Sequence, residues 1–579
     1  MDALVAALQA DGIPVHKIGE EAYERSVATS NLLYRFSRPG CVVQPERDSH
    51  VRSIIQEAKS RGIPVIIKNG GHSYAGSSTA KSGNSISLDL SRMNKVALDL
   101  AAETVTLQGG ALWGHAYKAL VNHISANGRR HLDGYLINGG RCPTVGVSGF
   151  ILGGGLGPFT RRFGMGCDAL TEATLVVADG RIVTVKDTDA RNSSHGKLFW
   201  ALRGAGGGNF GVVVEMKLKL QRLSNPEGLV VSSQYTWLPK PDFTAMQQFR
   251  QAMNDIYIAN WPDEMTIDST WRCEPSRVGS EFGVQFFVHY DGNKASFERL
   301  IEGSIHNQHL AQQLKRRSVE EPSSLYLHES LVTQWSEETI RAFPINPSYR
   351  IYSSFVFKND RNTIVNAIFP IVQAMEDFRG RFATEQVLLE VTWIHSGGQA
   401  SRNDERDTAF RWRGGVYYVY IMVQWQAKWL GDEMRGVLRT LQQLRPYSLY
   451  KRAAFINFPD ATLDQEDLPP GTRPEDVYER AYYGDNYKEL RKVKRLWDKD
   501  DFFRWDQAVK QPAAQQQPQQ QRDAPVQRDD EDGDDDHVSV DALARQQWNS
   551  YMPPPAQEAL HLDLVGGGRL LHGLTDLGF

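Results

Sequence analysis

Cysteine is scarce. The 579-residue chain holds 4, Cys41, Cys142, Cys167 and Cys273, and none stands in the tight CxxC pairing of a zinc or iron–sulfur site. A disulfide scaffold is excluded, and no metal site is expected. Long apolar runs are missing too. No stretch of 18 or more apolar residues occurs, so no membrane-spanning helix is expected. The opening residues, MDALVAALQADGIPVHKIGEE, bring acids at once and lack a basic stretch followed by an apolar one, which makes a cytoplasmic protein the expectation. Nor is there an excess of positive charge: 65 basic and 69 acidic residues leave a formal charge of −4. That balance gives no field to hold nucleic acid or an anionic membrane.

What is present is a globular composition, 41% hydrophobic and 10% aromatic, long enough for a large buried core. The charge is unevenly placed. Gln511–Arg522 hold seven glutamines and Asp523–His537 carry eight acids, so the rest of the chain is close to neutral. A glutamine and acidic run cannot bury enough apolar surface to fold, and residues 510–579 are expected to form a disordered tail and extension.

Through residue 220 short β-rich runs alternate with glycine turns. Cys41-Val42-Val43, Val65-Ile66-Ile67, Ser85–Leu90, Thr104–Gln108, Ala173–Val177 and Arg181–Val185 read as strands, with Asp179-Gly180 a hairpin turn. Asp48–Arg61 reads as a helix capped by Asp48 or Ser49, burying Val51, Ile54, Ile55 and Ala58. From 230 to 450 glycine thins and aromatics rise. Strands at Phe282–His289, Ile351–Phe357, Val387–Trp393 and Gly415–Gln424 alternate with helices at Ala295–Gln312, Arg361–Phe378 and Asp432–Gln443, which predicts a second α+β domain on an antiparallel sheet. Asn486–Trp497 reads as a last helix.

Three glycine clusters carry the chemistry. Lys68-Asn69-Gly70-Gly71-His72-Ser73-Tyr74-Ala75-Gly76 follows a buried strand, where adjacent glycines let backbone N–H groups converge on a pyrophosphate. Alone, it reads equally as a tight turn with an incidental histidine. Next comes Gly139 to Gly157, in which the glycines from 146 onward are costly in a helix and suit a stretch lying flat against a ligand. The third, Arg203 to Gly211, precedes a strand at Val212–Met216. Neither a P-loop nor GxGxxG spacing occurs. Three such clusters in one region point to a large dinucleotide wrapped by backbone.

These segments resemble the berberine bridge enzyme-like oxidases, FAD-linked oxidases whose FAD-binding domain is of the vanillyl-alcohol oxidase, or PCMH, type. The likeness covers most of Arg38–Val509. It rests on GGHSYAG at 70–76, CPTVGVSG at 142–149, GGGLG at 153–157, LFWALRGAGGGNFGVV at 198–213 and YYGDNYKELRKVKRLWDKDDFF at 482–503. The resemblance implies an α+β, two-domain fold with a helical lead-in over 1–37 and a PCMH-type FAD-binding domain over 38–225. An antiparallel-sheet substrate domain follows over 226–450, and residues 451–509 complete the FAD domain.

It further implies FAD attached at two points, by His72 and Cys142. Contacts to the cofactor fall to Asn69, Gly70, Gly71, Ser73 and Gly76, and to Val145, Gly146, Ser148 and Gly149. Gly153, Gly154, Gly155 and Gly157 extend that set, as do Asn209, Gly211, Val213 and Asn486. Cys167, where relatives commonly carry alanine, reads as core packing. A tyrosine base is implied near the C-terminus, Tyr482 or Tyr483; on a strand only one of them faces the flavin. Tyr74 resembles a substrate-contacting tyrosine. Glu390, Gln424, Gln426 and Asn457 are candidates to roof the cleft. Phe150 stands where many relatives place a histidine thought to stabilise charge on the reduced flavin.

The activity implied is hydride transfer from an alcohol, a sugar hemiacetal or a secondary metabolite to FAD, with O2 giving hydrogen peroxide. The expected partners are therefore a small-molecule substrate and O2. Two alternatives remain open: a dehydrogenase with another acceptor, and a non-catalytic flavin-binding scaffold.

Overall fold

Three large sheets, beside the two-stranded pair Tyr135–Leu136 and Gln221–Arg222, carry the fold in the computed structural model, which describes residues 1–511 apart from 30, 81, 124–133, 241, 277–281, 324–347 and 464–476. The expected tail lies outside the described residues. The first sheet has the order Val15–His16, Cys41–Val43, Ile86–Asp89, Val65–Lys68. Its last three strands are parallel, because the helix Asp48–Ser60 returns the chain across the sheet. That helix buries Val51, Ile54, Ile55 and Ala58, as its periodicity requires. The cap differs from expectation. Arg47 holds the N-cap position without a side-chain bond, and Asp48 instead accepts from the Ser49 N–H at 2.7 Å. Residues 1–37 are also more than a lead-in: Val15–His16 pairs with Val42–Val43, and Leu4, Val5 and Leu8 join the same core.

The second sheet is antiparallel, in the order Val96–Asp99, Thr104–Gln108, Val212–Lys219, Leu170–Val176, Ile182–Lys186. Asp179-Gly180 turns its last hairpin, with Gly180 at φ +84°.

The third sheet has seven antiparallel strands. Four of them matter below: β1 (Met265–Cys273), β2 (Tyr349–Phe357), β3 (Val387–His395) and β4 (Tyr417–Trp425), in spatial order β1-β3-β4-β2. Alternation gives this sheet two unlike faces. Val391, Trp393, Val419, Ile421 and Val423 are fully buried in a core shared with the helices Phe243–Ile258, Arg361–Arg381 and Gly431–Leu441. Each such side chain contributes about 1.5–3 kcal/mol relative to exposure. The opposite face is polar and aromatic. Across it Arg272 is level with Glu390, Glu390 with Met422, and Met422 with Tyr352; one step along, Thr270, Thr392, Tyr420 and Ser354 are level. The helix expected over 295–312 is two, Lys294–Ser304 and Gln308–Arg316, because the Asn307 side chain accepts from the Leu310 N–H at 3.0 Å and caps a new start.

The C-terminal helices Val477–Tyr483 and Tyr487–Trp497 pack back onto the core of the second sheet. Lys494, fully buried, donates to the Asn209 carbonyl at 2.9 Å and pairs with Asp498 at 2.8 Å. The Val509 N–H donates to Asn209 Oδ1 at 2.9 Å. Chain from both ends therefore closes one unit. Among the described residues no helix is long and apolar enough to cross a membrane.

Candidate active site

A cavity with about 1760 Å³ of atom-free space, partly open to solvent, runs from the end of the strand Val65–Lys68 to the polar face of the seven-stranded sheet. Its floor is backbone. Gly71, at φ +69°, turns the chain out of the strand in a conformation that a β-carbon disfavours. Gly70 lies so close to residues 144–146 that an added Cβ would stand 2.6 Å from Gly146 N and from Thr144 O. Asn69 ties the layers together, donating to the Gly109 carbonyl at 2.7 Å and to Ser148 Oγ at 2.9 Å. Its Oδ1 is buried with no partner.

That close approach brings the two candidate attachment residues to one point. His72 Nε2 lies 2.8 Å from the Thr144 hydroxyl, and Cys142 Sγ lies 3.4 Å from the same oxygen. Both side chains line the cavity, as do Asn69, Gly70, Gly71, Ser73 and Tyr74. Val145, Gly146, Ser148, Gly149, Gly211 and Val213 complete the expected positions in its wall.

Several expectations need correction. The glycine stretch is not uniformly flat: Val147–Leu152 is a six-residue helix starting at Gly146. Gly153, Gly154, Gly155 and Gly157 are not in the wall. A Cβ there would run into Asn457, Met165 and Phe410, Phe150, and Gly139 respectively, so these glycines serve close packing. Gly76 likewise makes room for the Tyr34 ring. Asn209 is a bolt between loop and C-terminus rather than a wall residue; its amide also donates to the Ala205 carbonyl at 2.8 Å. Asn486 donates to the Glu405 carbonyl at 2.8 Å, away from the cavity.

Tyr482 and Tyr483 are on a helix, not a strand, and neither lines the cavity. The Tyr482 hydroxyl donates to Gln507 Oε1 at 3.0 Å and accepts from the Asp460 N–H at 3.0 Å. Tyr483 donates to the Ala205 carbonyl at 3.0 Å, and burial pushes its phenol well above the usual value. Glu390 and Gln424 belong to the polar sheet face but are outside the wall. Glu390 stands 3.4 Å from Arg272, and Gln424 accepts from Arg350 Nε at 2.8 Å. Gln426 falls beyond the end of β4. Asn457 is in the wall, donating to the Phe150 carbonyl at 2.9 Å. Cys167 packs in the core as expected, its thiol pushed up to about 12 by burial.

Tyr420 and Arg141 are among the wall residues that the sequence reading did not single out. Tyr420 projects from β4 into the cavity, where burial, with Glu390 and Asp268, raises its phenol while the Thr392 hydroxyl and Arg141 act against that rise. The signal was available, since 420 shares the parity of Gln424 along the strand. Arg141, next to Cys142, pairs with Asp268 on β1 and donates to the Leu156 carbonyl at 3.0 Å. Tyr74 stacks on Tyr352 with centroids 3.9 Å apart and planes 6° apart; Tyr420 and Phe458 lie 5.9 and 5.7 Å from it. This aromatic cluster roofs the glycine floor. Phe150 is in the wall, edge-on to Trp113 at 5.1 Å.

The floor fits a flat, polar, phosphate-bearing group. A Cβ at Gly149 would meet nothing within 4 Å, and at Gly207 only Leu152 at 3.8 Å, so the chain leaves space there that its own packing does not need. Known proteins agree. An FAD binding domain model matches residues 39–186, and a berberine and berberine-like model matches residues 454–510. Berberine bridge enzyme-like 22 of Arabidopsis thaliana is 26% identical over 518 residues, 86% of this chain and 89% of its own.

The chain belongs to the berberine bridge enzyme-like FAD-linked oxidoreductases.

It is an FAD-dependent enzyme of that family, with the family's two-domain α+β fold. The aclacinomycin-N/aclacinomycin-A oxidase of Streptomyces galilaeus is 26% identical to this berberine bridge enzyme-like chain over 508 residues, 84% of this chain and 88% of its own. The solved berberine bridge enzyme of Eschscholzia californica superposes with a TM-score of 0.71 at 19% identity, covering 88% of this chain and 99% of its own. Among the described residues no group of His, Cys, Asp or Glu is placed to hold a metal ion.

Proposed function

We propose that this enzyme holds FAD by two covalent links, from His72 and Cys142, and oxidises a small molecule at a carbon bearing a hydroxyl, with O2 as electron acceptor and hydrogen peroxide as product. The observation that carries the reading is the meeting of His72 and Cys142 on one hydroxyl, Thr144, at a glycine-lined cavity floor. An imidazole and a thiol are the nucleophiles such attachment needs, and both are within one side chain's width of each other. When bound, FAD supplies a two-electron acceptor for hydride.

The chain's residues supply the rest. Asn69, Gly70 and Ser148 hold the floor rigid beneath the cofactor. Tyr420 is the side chain best placed to take the substrate's hydroxyl proton: it enters from the roof, and although burial, Glu390 and Asp268 raise its phenol, the Thr392 hydroxyl and Arg141 offset part of that rise. Tyr74, Tyr352 and Phe458 present ring faces above the floor and exclude water from the reacting carbon. Such a roof suits a substrate with a flat apolar body, an alcohol of a secondary metabolite before a bare sugar. A relative named for its action on aclacinomycins is in keeping with that order.

The test is a panel of alcohols, sugars and phenolic metabolites, each mixed anaerobically with the holoenzyme while the flavin absorbance is followed. A substrate bleaches the flavin, and admitted air restores the colour within seconds while peroxide accumulates. Bleaching with slow recovery in air moves the enzyme to the dehydrogenases, which hand electrons to another acceptor. No bleaching across the panel by any alcohol, sugar or metabolite contradicts the substrate classes named.

A further inference from the structure

We propose that Thr144 is a positioning residue that carries the Cys142 thiol proton to His72, so that the two flavin attachments are chemically coupled. The proposal rests on the two-point attachment above.

A threonine hydroxyl has one donor hydrogen and two acceptor lone pairs. With His72 Nε2 at 2.8 Å and Cys142 Sγ at 3.4 Å, the chain of contacts can run in either direction, and attachment through sulfur needs the direction that starts at the thiol. In that direction the hydroxyl donates to the imidazole nitrogen and accepts from the thiol. The polarity then runs one way, from sulfur through oxygen to nitrogen. Moving along it, the S–H bond breaks as a new O–H forms at Thr144, and the old O–H breaks as N–H forms at His72 Nε2. Thr144 is unchanged, Cys142 is a thiolate and His72 has gained a proton. The thiolate is the reactive form of cysteine. The carbon–sulfur bond it makes replaces a ring C–H, a two-electron oxidation whose electrons and proton leave to the enzyme's own acceptor, O2 in the reading above.

The surroundings favour a relay over an incidental contact. Thr144 is fully buried, so its hydroxyl is shielded from bulk water while His72 and Cys142 on either side of it line the cavity. Its carbonyl abuts Gly70, two residues from His72, and the Cys142 carbonyl accepts from the Val145 N–H at 3.3 Å. The backbone therefore holds all three side chains on one tight turn against one strand end.

The experiment is peptide mapping of the denatured, full-length holoenzyme, comparing wild type with Thr144→Val and Thr144→Ser. Valine keeps the shape and removes the hydroxyl; serine keeps the hydroxyl. In Thr144→Val we expect flavin on His72 at the wild-type level, with Cys142 unlinked and open to alkylation, and a rate of linkage on aerobic incubation lower by about a hundredfold. Thr144→Ser restores the linkage. Full linkage of Cys142 in Thr144→Val overturns the relay, as does a serine variant as defective as the valine one. Parallel loss of both links in Thr144→Val would mean that the residue only shapes the loop, which also overturns it. If wild type itself lacks the Cys142 link, the two-point reading has failed rather than the relay.

Discussion

The cavity has a floor and a roof built by different rules. The floor is local: residues 69–73 and 142–149 are two short runs, and their glycines, His72 and Cys142 meet because one turn presses on the other. The roof is assembled at a distance. Tyr420, which lines the cavity, and Tyr352 and Thr392, which support it, come from three strands, are separated by up to 68 positions, and share a face only through register. Floors of this kind bind; the roof decides what reacts. A change in one should leave the other's property standing, and that separation can be broken or sharpened by experiment.

The largest effect belongs to the roof. Tyr420→Phe should slow substrate-driven bleaching by about 10²–10⁴-fold while the flavin-to-protein ratio stays at the wild-type value. Stopped-flow reduction measures the first and absorbance the second. Loss of flavin in this variant would erase the distinction.

Next comes a buried histidine near the wall residue Arg141. His289 is buried against Phe159 and near Arg141, and burial with Arg141 holds its imidazole down to about 3 from 6.5. The folded protein then binds fewer protons than the unfolded chain, so this contribution is complete above about pH 6.5 and is lost as the pH falls toward 3. Denaturant titrations at pH 7.5 and 5 should show a loss of about 2 kcal/mol from this residue, and His289→Gln should remove that part of the slope. An unchanged slope in the variant would place the acid sensitivity elsewhere.

The smallest effect separates binding from folding on the floor itself. Gly149 is inside a helix with open space where a Cβ would go. Gly149→Ala should hold or raise thermal stability, by about 1 kcal/mol through helix propensity, yet lower flavin content. A stable variant with full flavin would show that the open space is not the cofactor's.

The same contrast explains what the sequence made legible. The strand Val65–Lys68, the helix Asp48–Ser60 and the floor motifs were readable because each is a contiguous pattern with one physical meaning. Weighing every glycine as a helix breaker hid Val147–Leu152, a single short turn pinned by its neighbours, in which one interior glycine costs about 1 kcal/mol. Tyr482 and Tyr483 were misplaced because paired aromatics suit a strand. The four-residue spacings Tyr478 to Tyr482 and Tyr483 to Tyr487 were the helical signal, and the last pair stacks at 5.7 Å. In the roof, alternation grouped Gln424 with its face, but parity does not say where along a strand the cavity lies. Tyr420, two turns of the pleat away, is where it does.

The central claim is that His72 and Cys142 each hold the flavin, and denaturation with peptide mapping tests it most directly. The account predicts that flavin stays on the unfolded polypeptide in the unmutated protein and in His72→Ala and Cys142→Ala singly, and is released only by the double change. Release of all flavin from the unmutated, denatured protein would contradict it.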